Sequence, residues 1–180
     1  MTEIAAGKQQ AAGIGIRRLT VTAVLAALIT LMTAYICHVP VGANGGYVHF
    51  GDALIYIAAA ILPLPYACAA GAIGGGMADL LTAPVWAPAT IIIKMLICLP
   101  FSSKANKIVT KRNVIALFLA FCISGTSYYL AEGIMFGFTA AFFTSLSGSI
   151  VQSGGSAIVF LILGTALDKM GYKKRFANGI

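Results

Sequence analysis

Charge is what this sequence has least of. Of its 180 residues, 9% are Asp, Glu, Lys or Arg, against 59% that are hydrophobic. So little charge cannot clothe a water-facing surface, which excludes an ordinary soluble domain and leaves the multi-span membrane class. The acidic residues are few enough to name: Glu3, Asp52, Asp79, Glu132 and Asp168. Cysteines are also sparse, and Cys37, Cys68, Cys98 and Cys122 form no CxxC pair. They read as small apolar core residues, with no disulfide framework or metal site. The two histidines, His38 and His49, belong to no HExxH, and HxxD with Asp52 is a poor metal signature. With no His/Cys cluster or Ser/His/Asp set in view, an enzyme is not expected, and neither is a cofactor or a metal. Period-two alternation is missing as well, which argues against an outer-membrane-type barrel.

Apolar runs supply what is there. Residues 1–16 are small and polar and read as a flexible N-terminal tail. Arg17 and Arg18 then precede LTVTAVLAALITLMTAYIC, which at about 20 residues can span a bilayer and exceeds a signal-peptide core. Pro40, Gly42, Gly45 and Gly46 make 38–49 a loop. The second span starts at FGDALIYIAAAIL and ends at Pro63 and Pro65, and the third covers 66–82. The fourth follows Pro84 and Pro88 and stops near Pro100, the fifth covers 114–131 and the sixth 149–167. Between the last two, GIMFGFTAAFFTSL is too short to cross and is expected as a hydrophobic loop or helix extension against the outer leaflet. The expected fold is therefore an all-α integral membrane protein, a six-transmembrane-helix bundle over 17–170 with a basic tail at 171–180.

The net charge of +7 falls at the edges of apolar runs, where a membrane orientation signal belongs, and nucleic acid is set aside. Six spans gather every Lys and Arg except Lys94 on the side holding both termini. By the positive-inside rule that side, with the N- and C-termini, is cytoplasmic.

With that orientation, Asp52 opens the second span on the outside, Asp79 sits a turn below the outer end of the third, and Glu132 closes the fifth. Lys94 lies roughly 10 Å below the outer surface. An intramembrane lysine is costly, roughly 2.5–3.5 kcal/mol at mid-bilayer, so Lys94 faces protein or water. Ser149, Gln152 and Ser156 share one helical face, as do Tyr128 and Glu132. These groups converge on an outward-opening pocket that the glycine-rich loop can cover, with Asn44, Tyr47 and His49 on the loop and Trp86 at the rim. The bland alternatives are that Lys94 only neutralises Asp79 or Asp52 and that Tyr47 and Trp86 form an interfacial belt. Ala23 and Ala27 are a small-xxx-small pair in the first span, as Gly71 and Gly75 are in the third, a spacing that favours close helix packing.

YVHFGDALIYIAA, AGAIGGGMADLL and WAPATIIIKML, in that order within a chain of this length, resemble the substrate-binding S component of an energy-coupling factor (ECF) transporter. The branch it most resembles carries riboflavin, pyridoxine-like and hydroxymethylpyrimidine-like compounds. Resemblance implies capture of a small water-soluble vitamin from outside, closure of the first loop over it, and docking on a T component bound to two ATPases in a prokaryotic inner membrane. No GxxxxGK[ST] is present, so ATP hydrolysis falls to those partners. The family's AxxxA docking contact matches Ala23 and Ala27. Position 2 is Thr2, not the histidine of the nickel and cobalt branch, so metal transport is disfavoured. The expected ligand contacts are Lys94 and Gln152 on polar atoms, Tyr47, Trp86 and Tyr128 around a flat ring, and Asn44 or His49 closing from above. Asp52, Asp79 and Glu132 orient these groups or meet ligand donors. The alternative is a small secondary transporter or channel using the same charges as an ion or proton path, for which the expected paired repeats are not evident.

Overall fold

Prolines and glycines set where the apolar runs end, and the runs themselves become helices. A computed structural model describes residues 2–36, 38–41 and 46–178, with side chains for all of these except 2–12, 41, 46, 140, 146 and 176–178. Helix α1 (Thr2–Leu31) widens into a π-helical turn at Met32–Ile36. Strands β1 (Val39–Val41) and β2 (Gly46–Val48) pair antiparallel, with Pro40 opposite Tyr47. Then come α2 (Asp52–Ile61), α3 (Leu64–Thr82), a 3-10 turn at Pro84–Trp86, α4 (Ala87–Leu96), α5 (Lys111–Phe136), α6 (Phe138–Lys169) and α7 (Tyr172–Asn178).

Each boundary has a local cause. Pro63 forces Leu62 into extended backbone and stops α2. Proline in the first turn opens both α3 and α4, where its missing N–H costs nothing. The Thr110 side chain caps α5 by accepting the Asn113 N–H at 3.2 Å. Gly137, at φ 100, breaks α5 from α6 in a conformation other residues avoid.

The helical membrane class holds, and the boundaries differ from expectation in four places. Residues 2–16, expected as a tail, continue α1 as helix. The loop 38–49 contains the short β1–β2 hairpin, because Val39, Val41 and Val48 flank its glycines. The segment 133–146, expected as a loop or a helix extension, is helix on both sides of Gly137, which carries the sixth helix back from 149 to Phe138. The basic tail coils into α7. Among the described residues, three segments are long and apolar enough to cross a membrane: Gly13–Ile36, Lys111–Phe136 and Ala141–Lys169. At ten residues each, α2 and α4 are too short to do so alone.

Helix α2 is apolar all round and accordingly buried, packed against α1, α3 and α6. Its Tyr56 forms an aromatic cluster with Phe101 and Phe160, with Tyr56 and Phe101 stacked at 5.0 Å and Phe160 edge-on to both. The glycine run of α3 serves two neighbours at once. A Cβ on Gly74 would lie 2.7 Å from Ile29 of α1, and one on Gly75 would lie 2.8 Å from the Lys94 stem of α4. Bare backbone here lets α3 lie close to both helices.

At the end opposite the hairpin, side chains tie down the α4–α5 connection. Asp168 accepts the N–H groups of Ile108 and Val109 at 2.7 and 2.9 Å. Asn113, fully buried, accepts from the Ser102 N–H and donates to the carbonyls of Ser102 and Ile108. Lys104, Lys107, Lys111 and Arg112 surround this clasp in sequence, and Lys173 donates to the Lys107 carbonyl at 3.3 Å.

Candidate functional site

The start of α2, the end of α3, the start of α4, the end of α5 and the first half of α6 all lie at the hairpin end of the bundle, because each helix reverses the one before. A cavity of about 90 Å³ opens there. Its walls are Tyr47, Val48 and His49 from the hairpin and its end, Asp79 from α3, Trp86 from the 3-10 turn, Thr90 from α4, and Tyr128 and Glu132 from α5. Thr144, Ser145, Gly148, Ser149 and Gln152 of α6 complete it. A larger recess of about 430 Å³ between α5 and α6, lined by Phe121, Cys122, Gly125, Thr126, Tyr129, Phe142 and Ser149, carries no charged residue. The first cavity is the one where polar groups converge.

Its floor is an ion pair. Lys94 Nζ lies 2.7 Å from Asp52 Oδ1, and both side chains are fully buried. Gln152 Nε2 donates to the other Asp52 oxygen at 2.9 Å, and the Lys94 ammonium sits 5.3 Å from the centre of the Tyr128 ring. Asp52 and Lys94 thus stand one layer beneath the cavity wall, and Gln152 joins that layer to the opening.

The walls form two hydrogen-bonded sets. Tyr128 OH and Thr90 Oγ1 are 3.0 Å apart, and Thr90 in turn hydrogen-bonds Asp79. Across the cavity Glu132 accepts from Thr144 Oγ1 at 2.5 Å and from Ser145 Oγ. Trp86 packs beside Tyr128 and Phe136, with ring centres 6.1 and 5.7 Å away.

The hairpin is held over the opening by Tyr47, whose hydroxyl donates to Asp79 and whose ring stacks on His38 at 3.9 Å. Burial and the Asp79 charge push the Tyr47 phenol upward, so it remains a donor. His49 Nδ1 accepts the Gly51 N–H at 3.1 Å, which places the ring proton on Nε2. Burial first, and Lys94 second, lower the His49 imidazole to about 3, so it stays neutral at physiological pH. Replacing Tyr47 by Phe removes a hydrogen bond to a charged group, a loss of about 1.5–3 kcal/mol. The expected result is at least roughly tenfold faster amide hydrogen exchange over residues 46–50; unchanged exchange would mean that something else holds the hairpin.

Of the residues singled out from the sequence, Tyr47, His49, Asp79, Trp86, Tyr128, Glu132 and Gln152 line the cavity, and Asp52 and Lys94 underlie it. Asn44 lies outside the described residues. Ala23 and Ala27 are exposed on α1, away from the cavity. Thr90, Thr144 and Ser145 were not foreseen. Ser145 extends the Ser149, Gln152 and Ser156 face back by one turn, and that spacing could have revealed it.

A family model described as "ECF-type riboflavin transporter, S component" matches residues 13–169. A stretch of 63 residues is 33% identical to an uncharacterized protein in gap 3'region of Pyrococcus woesei, covering 35% of this chain and 43% of that relative. The chain therefore spans less than half of that relative's length. The family match takes in α2 to α6 whole and the apolar part of α1, with the cavity inside it, so the chain belongs to the ECF-type riboflavin transporter S components, membrane-embedded substrate-binding subunits.

Proposed function

We propose that this chain captures a small water-soluble vitamin carrying a flat heterocycle, with the hairpin end facing outward and the lysine-rich end facing the cytoplasm of a prokaryotic cell. Trp86, Tyr47 and Tyr128 flank the ring. Gln152, Asp79, Glu132 and the Thr90, Thr144 and Ser145 hydroxyls take its polar edge, with Lys94 and Asp52 holding Gln152 and Tyr128 in place from below. The observation that carries this reading is the polar, hairpin-roofed cavity at one end of a bundle, next to a large apolar core. At about 90 Å³ the closed cavity is smaller than the roughly 300 Å³ at which ligand pockets begin, so a ring enters only as the Tyr47 contact opens. The loaded protein then docks, through the α1 surface around Ala23 and Ala27, on a T component bound to two ATPases.

An ion-conducting path through the same charges is the rival. The aromatic cluster of Tyr56, Phe101 and Phe160 beneath the Lys94–Asp52 layer supports capture instead, because three packed, uncharged rings fill the bundle there.

Trp86 is the sole tryptophan and lies in the wall, which makes it a reporter. Titrating the detergent-solubilised protein with riboflavin is expected to quench its emission saturably, and mass spectrometry of the purified protein is expected to find a heterocyclic vitamin bound. A protein that carries no such compound, with emission indifferent to riboflavin, pyridoxine and hydroxymethylpyrimidine alike, would sink the reading. Uptake into proteoliposomes without any ATPase, driven by an ion gradient, would favour the rival.

A further inference from the structure

Two of the cysteines meet in the fold although they are far apart in the sequence. Cys68 stands in the second turn of α3 and Cys98 in the turn that follows α4, both toward the end opposite the hairpin. The Cys98 thiol donates to the Lys94 carbonyl at 3.2 Å and also reaches the Ala67 carbonyl at 3.7 Å. A Cβ on Gly71 would lie 3.6 Å from that same sulfur. Ala67, Cys68 and Gly71 share one side of α3, so Cys98 lies against the face that carries Cys68. The Cys68 sulfur is in turn 3.7 Å from the Met95 carbonyl, and the two thiols are in hydrogen-bonding contact with each other. Both cysteines are free.

Close approach of two backbones makes this contact. Helices packed through ordinary side chains lie about 8–10 Å apart, whereas a disulfide needs its Cα atoms within about 4.4–6.8 Å of each other. Gly71 and Gly75 remove the side chains that would hold α3 away from α4, since Cβ atoms added there would meet the Lys94 carbonyl at 3.1 Å and the Lys94 stem at 2.8 Å. The two sulfurs differ in access. Cys98 is fully buried and Cys68 is partly exposed, so a small solute reaches Cys68 first.

From this juxtaposition we infer that Cys68 and Cys98 form a modification site, a dithiol that a small uncharged peroxide closes into an intramolecular disulfide and that a thiol reductant reopens. The Cys68 sulfur attacks one oxygen of hydrogen peroxide, the O–O bond breaks, and a sulfenic acid and one water result. The Cys98 sulfur then displaces the sulfenic oxygen, which leaves as a second water with the proton that Cys98 gives up. Two thiols and one hydrogen peroxide thus become one disulfide and two waters, with two electrons passing from sulfur to the peroxide. With this end facing the cytoplasm, as proposed above, the dithiol is the resting state and the disulfide a transient product of oxidation. Closure clamps together the helices that supply Asp79 and Lys94, and it removes the thiol proton now shared with the Lys94 carbonyl.

The test uses the full chain in detergent with Cys37→Ser and Cys122→Ser, which leaves this pair alone. Hydrogen peroxide is expected to lower the intact mass by two hydrogens, to abolish alkylation at both sulfurs, and to yield on proteolysis a disulfide-linked pair of peptides containing Cys68 and Cys98. Dithiothreitol is expected to reverse all three changes. Adding Cys98→Ser is expected to stop the reaction at a Cys68 sulfenic acid, which dimedone traps. Thiols that both stay alkylatable after peroxide, a link between two chains in place of one within the chain, or Cys68 driven to the sulfinic acid while Cys98 stays free would each overturn the inference. Should the serine variants fail to fold, peptide mapping of the peroxide-treated wild-type chain decides alone.

Discussion

Lys94→Met is expected to abolish vitamin binding and to lower stability by about 3–5 kcal/mol, the usual consequence of removing one partner of a buried ion pair. Asp52 would keep only the Gln152 amide, at zero exposure and with an uncompensated charge. The methionine fills the stem's volume beside Gly75, so lost packing contributes little. Pairing the change with Asp52→Leu removes both charges together, and such apolar replacements are often neutral. The double variant is therefore expected to regain most of the thermal stability in detergent while still failing to bind. Recovery of binding together with stability would reduce Lys94 to a neutraliser of Asp52.

Gly74→Leu is the other large effect. An added Cβ would meet Ile29 at 2.7 Å and the Ala26 carbonyl at 2.8 Å, and a backbone carbonyl cannot swing aside as a side-chain end can. Separation of α1 from α3 is expected to cost about 3 kcal/mol, the upper end for overpacking. Gly154→Ala provides the contrast. With nothing within 4 Å of its Cβ and a helical backbone, it is expected to be neutral or to stabilise by up to about 1 kcal/mol. Thermal unfolding of the two variants side by side measures the difference. Similar melting points would mean that the α1–α3 approach has slack.

The convergence of polar groups was legible in the sequence because depth along a helix needs only residue counting. Asp79, Glu132 and Gln152 come to one cavity, as counting from the span ends implied. Which acid meets Lys94 was not legible. Asp52 and Asp79 lie at similar depth, and the choice depends on how α2, α3 and α4 rotate about their axes, which depends in turn on the glycines of α3. The Thr144 contact to Glu132 was hidden for another reason, and Ser145 could be found only by carrying the Ser149, Gln152 and Ser156 face back a turn. A single residue, Gly137, decides whether 138–146 is a loop or the first two turns of α6, and glycine composition alone does not distinguish a break inside a segment from a loop.

The unbroken course of α6 has a mechanical consequence. Near one end Gln152 grips the buried carboxylate of α2, and about 24 Å along the axis Asp168 grips the backbone at Ile108 and Val109. A strut clamped twice, with no kink-forming proline between the clamps, does not shorten or fold. Whatever displaces it at one clamp reaches the other as tilt or translation of the whole rod, and the lysine-bearing face receives news of the pocket as a change of attitude, with its own shape intact.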